Sequence, residues 1–200
     1  LEEGSTKIAS ISASDADKND SLIYSLINSV GAKDETLISI NKKTGVVIFK
    51  VSPDYERPTD VGLNNSINFS VQVSDGTLAA VQEYSFAITN KNEAPVITTT
   101  NFSISENNVT VGAISASDVD SGTTLSYGLT EAAGSDEQLF NINSTTGALV
   151  FKSRPDYETP KDNGSNNIYN ITVKVSDGLL VTSKEIEITV QNINEPPSFL

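Results

Sequence analysis

Apolar and polar residues alternate over short stretches of the chain, and Gly, Asn, Asp or Pro residues separate one stretch from the next. This alternation is typical of half-buried β-strands. It places Phe69, Val71 and Val73 on one face of a strand and predicts that Ile8 and Ile11 lie on opposite faces. No long window carries the i, i+3, i+4, i+7 stripe of an amphipathic helix. In the first half, strands are predicted over these ranges: 6–13, 22–27, 37–40, 46–49, 67–73 and 82–88.

The second half of the chain repeats the first at a domain-sized period. The segment at 11–17 recurs at 114–120, 103 residues later, and the segment at 44–50 recurs at 146–152, 102 residues later. Turn signals about every 8–12 residues predict an all-β fold of two tandem Greek-key β-sandwiches, with about seven strands each. The predicted domains are 1–93 with a truncated first strand, 94–195, and 196–200 as the start of a following repeat.

The second copy also contains a predicted first strand over 96–104, which the first copy largely lacks. The chain is therefore interpreted as a fragment of a longer array of similar domains. Four longer polar stretches without periodicity are expected to form exposed loops, at 29–36, 59–66, 131–138 and 161–167.

Composition narrows the chemistry that is available to the chain. It contains no Cys, Met, Trp or His, which excludes a thiol nucleophile, an imidazole base and the usual zinc and copper sites. A glycosidase-type carboxylate pair is also disfavoured, because aromatic residues make up only 6% and the acids recur identically in both copies. The chain is predicted not to be an enzyme.

The net charge of −13 argues against nucleic acid as a partner and indicates a cation-binding or solvated surface. No apolar run approaches the roughly 18–20 residues that cross a bilayer, so direct membrane insertion is not expected.

Oxygen-bearing side chains occur in pairs at the ends of predicted strands and in the linker that precedes Pro95. In each Asp-x-Asp, Asp-x-Glu or Asn-x-Asn triplet, an extended backbone directs both side chains to the same side. Ca²⁺ takes about six to eight oxygen ligands, so one triplet is not enough and several must meet. A single Asp-x-Asp is more often a turn stabilised by its own side chain. The recurrence of the motifs in register favours a metal site instead.

In this ordered set of motifs the chain resembles two tandem cadherin-like domains. The family pattern combines a glutamate on the first strand, Asp-x-Asp, Asp-x-Glu, Asp-Gly and an Asp- and Asn-rich linker that ends in Pro. The resemblance implies Ca²⁺ as the bound ion. It assigns the ligands to these positions: Glu3, Asp54, Glu56, Asn90, Asn92, Glu93, Asp118, Asp120 and Asp177. The linker departs from the family pattern, since it opens with Asn90 rather than Asp and is one residue shorter.

Two further groups are expected to be partial metal sites at the free poles of the repeats. One group belongs to the first repeat and comprises Asp15, Asp17 and Asp75. The other belongs to the second repeat and comprises Glu106, Asp156, Glu158, Asn192, Asn194 and Glu195.

The short linkers and the Asn-rich, Cys-free composition look like repeats of bacterial surface adhesins. The resemblance implies an extracellular segment at the cell surface, secreted or anchored to an outer membrane, in which Ca²⁺ between neighbouring repeats stiffens an adhesin array. Two alternatives remain open. One is a module that binds carbohydrate or a like domain, and the other is a spacer without metal.

Overall fold

The structure of the protein, a computed structural model, describes residues 1–17, 21–27, 34–130 and 135–197. The chain divides into two compact units, Leu1–Lys91 (unit 1) and Asn92–Leu200 (unit 2). Both units are built from β-strands, and the described part of each also contains one short 3₁₀ turn, at Asp34–Thr36 and Asp136–Leu139.

The described strands of unit 1 form two antiparallel sheets. Their bounds are β1 Lys7–Ser10, β2 Ile23–Ile27, β3 Ile38–Ile40, β4 Val46–Phe49, β5 Ser66–Ser74 and β6 Ala79–Ala87. One sheet has the order β1-β4-β3 and the other the order β2-β5-β6. Side chains from both sheets meet in one apolar cluster, which makes the unit a sandwich. Ile67, Phe69 and Val71 of the central strand β5 are almost fully buried in it, as their alternation predicts.

Strict alternation over 6–13 is the wrong interpretation of the first strand. Ile8 and Ile11 are both buried, at 6% and 8% exposure. The pairing of β1 with β4 shifts its register between Lys7 and Ala9, and β1 ends at Ser10. Because an irregularity of this kind turns the backbone, the period of two is lost and both isoleucines reach the core.

Unit 2 has the same plan with additional strands. The bounds are β7 Val96–Ile97, β8 Phe102–Ser105, β9 Thr110–Ala113, β10 Ala116–Ser117, β11 Ser126–Leu129, β12 Phe140–Ile142, β13 Ala148–Phe151, β14 Ile168–Ser176 and β15 Val181–Gln191. The main sheets have the orders β12-β13-β9 and β11-β14-β15-β8, and β7 pairs separately with β10. The strands are antiparallel except for β8, which runs parallel to β15.

The single strand predicted over 96–104 is instead two strands with different partners. β7 pairs with β10, whereas β8 joins the edge of β15. Between them, the backbone N–H groups of Thr98 and Thr99 both donate to the carbonyl of Ser115. The chain therefore leaves one sheet and enters the other in this stretch, and the run of apolar residues carries no sign of the change.

Each of the polar stretches expected to be exposed holds a deeply buried carboxylate. Asp34 is 1% exposed, and its two oxygens accept hydrogen bonds from the N–H groups of Val61 and Asn68 at 2.6 and 2.7 Å. Asp60, at 3% exposure, accepts from Asn64 and Asn65. Loop N–H groups that lie inside a domain need acceptors, and these carboxylates supply them.

The same arrangement recurs in unit 2, where Asp136 and Asp162 take the two positions. The expectation of exposed loops is therefore wrong at these residues. Residues 29–33 and 131–134 of the predicted loops lie outside the described part of the chain.

The turn between β12 and β13 requires glycine at its last position. Gly147 has a φ of +68°, and an added Cβ would lie 2.6 Å from the carbonyl oxygen of Ile114. Gly147→Ala is expected to lower the free energy of unfolding of unit 2 by at least about 2 kcal/mol, through left-handed strain together with the clash. Urea unfolding followed by the amide NMR signals of unit 2 measures this.

Gly122→Ala is the matched control for this variant. Gly122 also has a positive φ, +82°, but its added Cβ would meet nothing within 4 Å. The control is expected to lose only about 1 kcal/mol, from strain alone. Equal losses for the two variants would contradict a role for the close approach to Ile114.

Candidate metal centre

The first carboxylate group lies in unit 1 around Glu3. The side chain of Glu3 is buried, and its oxygens accept hydrogen bonds from the N–H groups of Tyr55 and Lys91 at 2.7 and 2.8 Å. Glu3, Asp54 and Glu56 each offer one oxygen, and these oxygens lie within 4.8 Å of one another. The fold of unit 1 thus brings three of the predicted ligands together and connects them to the linker.

Backbone contacts fix the loop that carries two of these residues. The loop follows β4, and the N–H of Gly4 donates to the carbonyl of Pro53 at 3.1 Å. Asp54 accepts from the N–H of Arg57 at 2.9 Å, which closes a turn. One oxygen of Asp54 is thereby oriented by the chain, and the Asp-x-Glu spacing keeps Glu56 on the same side.

The donor set and its spacing fit a Ca²⁺ ion. Ca²⁺ binds oxygen at about 2.3–2.6 Å, so two ligands on opposite sides of one ion lie at most about 5 Å apart. The separations of up to 4.8 Å among Glu3, Asp54 and Glu56 fall within this limit. Three carboxylates do not complete the coordination shell, which needs further oxygens from other residues or from water.

A second group lies in unit 2 and includes the end of the linker. The Asn92 amide donates to Asp177 at 2.7 Å, and the Glu93 N–H donates to Asp120 at 2.9 Å. The Asp120 N–H in turn donates to Oδ1 of Asp118 at 2.9 Å. The other oxygen of Asp118 is buried and has no hydrogen-bond partner among the described residues. A buried carboxylate oxygen of this kind calls for a cation or a donor, because desolvation is costly when nothing offsets it.

Asp177 is held in its charged form by its surroundings. The Asn92 amide, followed by the N–H of Leu180, lowers the pKa of Asp177 below its usual value. Asp75 occupies the equivalent Asp-Gly turn in unit 1, and the N–H groups of Leu78 and Thr77 lower its pKa as well. Both carboxylates are therefore available as anionic ligands at neutral pH.

The predicted ligands thus separate into the group of unit 1, the group of unit 2 and one linker residue. Asn90 is exposed and lies next to Lys91, whose N–H is bound to Glu3. Its assignment as a ligand stays a prediction.

The predicted partial site in unit 2 repeats the geometry around Glu3. Glu106 is 2% exposed and accepts from the N–H groups of Tyr157 and Ile193 at 2.9 and 2.8 Å. Oxygens of Glu106, Asp156 and Glu158 lie within 4.8 Å of one another. The Asn192 amide donates to Glu158 at 2.6 Å, whereas Asn194 is exposed.

The other partial site, in unit 1, is more open. Asp15, Asp17 and Asp75 line one surface depression of about 270 Å³. The Asp17 N–H donates to Asp15 at 3.0 Å, which is the turn geometry that the sequence alone also suggests.

One residue of these groups was not predicted. Asn107 donates its side-chain amide to Glu195 at 3.2 Å. Its φ is +65°, a conformation that Asn and Gly adopt most readily, and Gly4 takes the equivalent position in unit 1 at +75°. The sequence feature that could have identified Asn107 is its position directly after Glu106, where the first repeat has Gly4 after Glu3.

A family model matches the second repeat, and two curated proteins align with the whole chain. Residues 100–191 match the family model of the Cadherin domain. Over 210 residues the chain is 28% identical to human Protocadherin Fat 4 and 27% identical to the mouse protein of the same name. All of the chain is covered in both alignments, but it spans only 4% of the length of either relative.

Solved structures with the same fold cover both units. The crystal structure of human Protocadherin-24 EC1-2 (form II) gives a TM-score of 0.61 at 21% identity, and covers 97% of this chain and 91% of that one. Protocadherin Gamma B2 extracellular cadherin domains 3-6 give 0.51 at 22% identity, covering 96% and 50%. The predicted fold, two tandem cadherin-like β-sandwiches, is confirmed. The helices among the described residues are too short to span a membrane.

The Asn92–Asp177 contact makes a prediction about titration. Asn92→Ala removes the amide donor, so the pKa of Asp177 is expected to rise toward its ordinary value in metal-free protein. Carbon-detected NMR titration of the aspartate carboxyl groups measures it. Asp75 is the internal control, because its donors are Leu78 and Thr77 and remain in place. An unchanged Asp177 titration would show that the amide does not bind this carboxylate in solution.

Proposed function

We propose that the chain is a calcium-binding extracellular pair of cadherin-like repeats, in which ions held jointly by consecutive repeats stiffen an array that serves cell adhesion. The observation that carries the proposal is the pre-oriented carboxylate group of each unit. Glu3, Asp54 and Glu56 supply three oxygens with the spacing of Ca²⁺ ligands, and half or more of a coordination shell is left to be filled. Asp118, Asp120 and Asp177 of the next repeat are the matching ligands in the family pattern.

Electrostatics supports a metal-dependent rather than a permanent stiffness. Carboxylates about 4–5 Å apart repel one another, and the repulsion weakens only where water or salt screens it. Bound Ca²⁺ supplies positive charge that offsets this repulsion. The hydrogen bonds to Glu3 and Asp120 hold the oxygens in position without neutralising them.

The alternative roles have less support. Among the described residues, Tyr157 is the most exposed aromatic side chain, at 39%, and one such residue is little for a sugar-stacking platform. A metal-free spacer is distinguished from the proposal by the scattering experiment below, and homophilic binding by an assay of calcium-dependent self-association. The bacterial context stays a prediction from the short linkers and the composition; the curated relatives named above come from human and mouse.

Chelation is expected to change the solution shape of the chain. Small-angle X-ray scattering in saturating Ca²⁺ is expected to give a narrower distribution of interatomic distances than the same sample in excess EGTA. The reason is that EGTA removes the Ca²⁺ that offsets the repulsion between the carboxylates. Without the ion, consecutive repeats are no longer held at one angle. Identical scattering curves under the two conditions would contradict the proposed stiffening.

Two variants sharpen this experiment. Asp120→Ala removes an oxygen of the unit 2 group and is expected to give EGTA-like scattering even in Ca²⁺, while both units keep their NMR spectra. Glu185→Gln removes one negative charge at an exposed position of β15 and is expected to behave as the unchanged chain. A collapse of unit 2 in Asp120→Ala would assign this residue to folding instead.

A further inference from the structure

The two units differ in a cavity that lies in unit 1. Its volume is about 570 Å³, and the apolar side chains of Leu37, Phe49, Val51, Pro58, Ile67 and Ile88 contribute to its walls. The corresponding region of unit 2, next to Leu139, Phe151 and Tyr169, holds a cavity of only about 10 Å³. The same scaffold is therefore open in one copy and filled in the other.

An aromatic ring fills the space in unit 2. Tyr169 is 1% exposed, and its ring lies edge-on to Phe140 and Phe151 with centroid distances of 5.9 and 5.0 Å. The positions of Tyr169 and Phe140 in unit 1, 102 residues earlier, are occupied by Ile67 and Ile38. Because an isoleucine side chain is shorter than a tyrosine ring, Ile67 does not reach the space that the ring takes in unit 2.

The other aromatic residues of the unit 1 core do not compensate for this loss. Phe69 stacks with Tyr84 and Phe86 at centroid distances of 5.7 and 5.9 Å. None of these three rings contributes to the walls of the cavity, where Phe49 is the aromatic residue. These three rings are thus placed elsewhere in the sandwich.

A hydrogen-bond donor for a phenolic oxygen is also present. In unit 2 the hydroxyl of the buried Tyr169 accepts from the N–H of Lys161 at 3.4 Å. The equivalent residue of unit 1, again 102 residues earlier, is Thr59, which lines the cavity. The Thr59 N–H has no acceptor within the part of the chain that the structure describes.

We propose that unit 1 binds a small phenolic compound in this cavity, with the ring placed as Tyr169 is in unit 2 and the oxygen accepting from Thr59. The volume lies in the range of about 300–1,000 Å³ that is usual for small-molecule sites. One phenol ring does not fill it, so a substituent on the ring extends toward the mouth, where Val51 is 80% exposed. Asp54, one of the proposed calcium ligands, also lines this cavity, so binding is tested in EGTA to keep the two proposals separate.

The probe for the test is 4-methylphenol, which is the tyrosine side chain as a free molecule. It is titrated into the full chain in EGTA, and binding is followed by amide NMR. A Kd on the order of 1 mM is expected for a ligand of this size. The shifted signals are expected to cluster at Thr59, Ile67 and Ile88. Toluene, which lacks the hydroxyl, is expected to bind several-fold more weakly.

Exchanging the residues between the copies supplies the decisive variants. Ile67→Tyr fills the cavity from within and is expected to weaken binding at least tenfold. Tyr169→Ile is expected to create a second site in unit 2, with new shifts around Lys161. Ile48→Tyr adds the same ring at a position that is 42% exposed and outside the cavity, and is expected to bind as the unchanged chain does.

Three outcomes overturn the proposal. They are shifts spread over both units without saturation, equal binding by Ile67→Tyr and the unchanged chain, and equal binding of toluene and 4-methylphenol. If Ile67→Tyr does not fold, as its NMR spectrum will show, Ile67→Phe gives the same comparison with a slightly smaller ring. The Tyr169→Ile result does not depend on whether either variant of Ile67 folds.

Discussion

Crowding of like charges is the constraint on which the polar structure of each unit depends. Oxygens of Glu3, Asp54 and Glu56 lie within 4.8 Å of one another in unit 1, and those of Glu106, Asp156 and Glu158 do so in unit 2. Such an arrangement persists only if donors or cations offset the repulsion.

The fold supplies the donors from its backbone. Each buried glutamate accepts one N–H from the loop after β4 or β13 and one from the segment after β6 or β15. Glu3 and Glu106 thereby tie three segments together. The orientation of the carboxylates is set by the folded chain, and the remaining charge is what a divalent cation would balance.

The two copies hold these polar contacts constant while the apolar core varies. The buried carboxylates of Asp34 and Asp60 accept from backbone N–H groups at positions equivalent to those that donate to Asp136 and Asp162. In the core, by contrast, an aromatic cluster around Tyr169 takes the place of Ile67 and its neighbours. Hydrogen bonds to a buried charge leave little freedom for exchange, whereas an apolar position tolerates a different shape at the cost of a cavity. The cavity of unit 1 follows from this difference.

Much of the fold could be predicted from the sequence because apolar and polar residues alternate along a half-buried strand. The bounds of β4 agree with the prediction of 46–49, and β5 extends one residue beyond each end of the predicted 67–73. The buried carboxylate of Asp34 could not be predicted in the same way. An acid in a polar stretch looks solvated until the loop that encloses it is known, and its donors at Val61 and Asn68 are 27 and 34 residues away.

The same limit applies to the candidate site. The motifs predicted which acids lie close together within each unit, as for Asp118 and Asp120, because the spacing itself fixes their proximity. They did not predict that Glu3 binds two backbone N–H groups, or that Asn107 joins Glu195, since both depend on how distant segments pack. The cavity at Ile67 also could not be predicted from the sequence of the first copy alone. Alignment of the two copies places Tyr169 opposite Ile67 and so indicates where the side chains differ in size.

Calcium binding itself is the central claim, and calorimetric titration of Ca²⁺ into chelator-treated protein tests it most directly. The account predicts saturable binding of more than one ion per chain, with a loss of heat in Asp120→Ala and no loss in Glu185→Gln. The absence of saturable heat at any Ca²⁺ concentration, or identical titrations for Asp120→Ala and the unchanged chain, would contradict it.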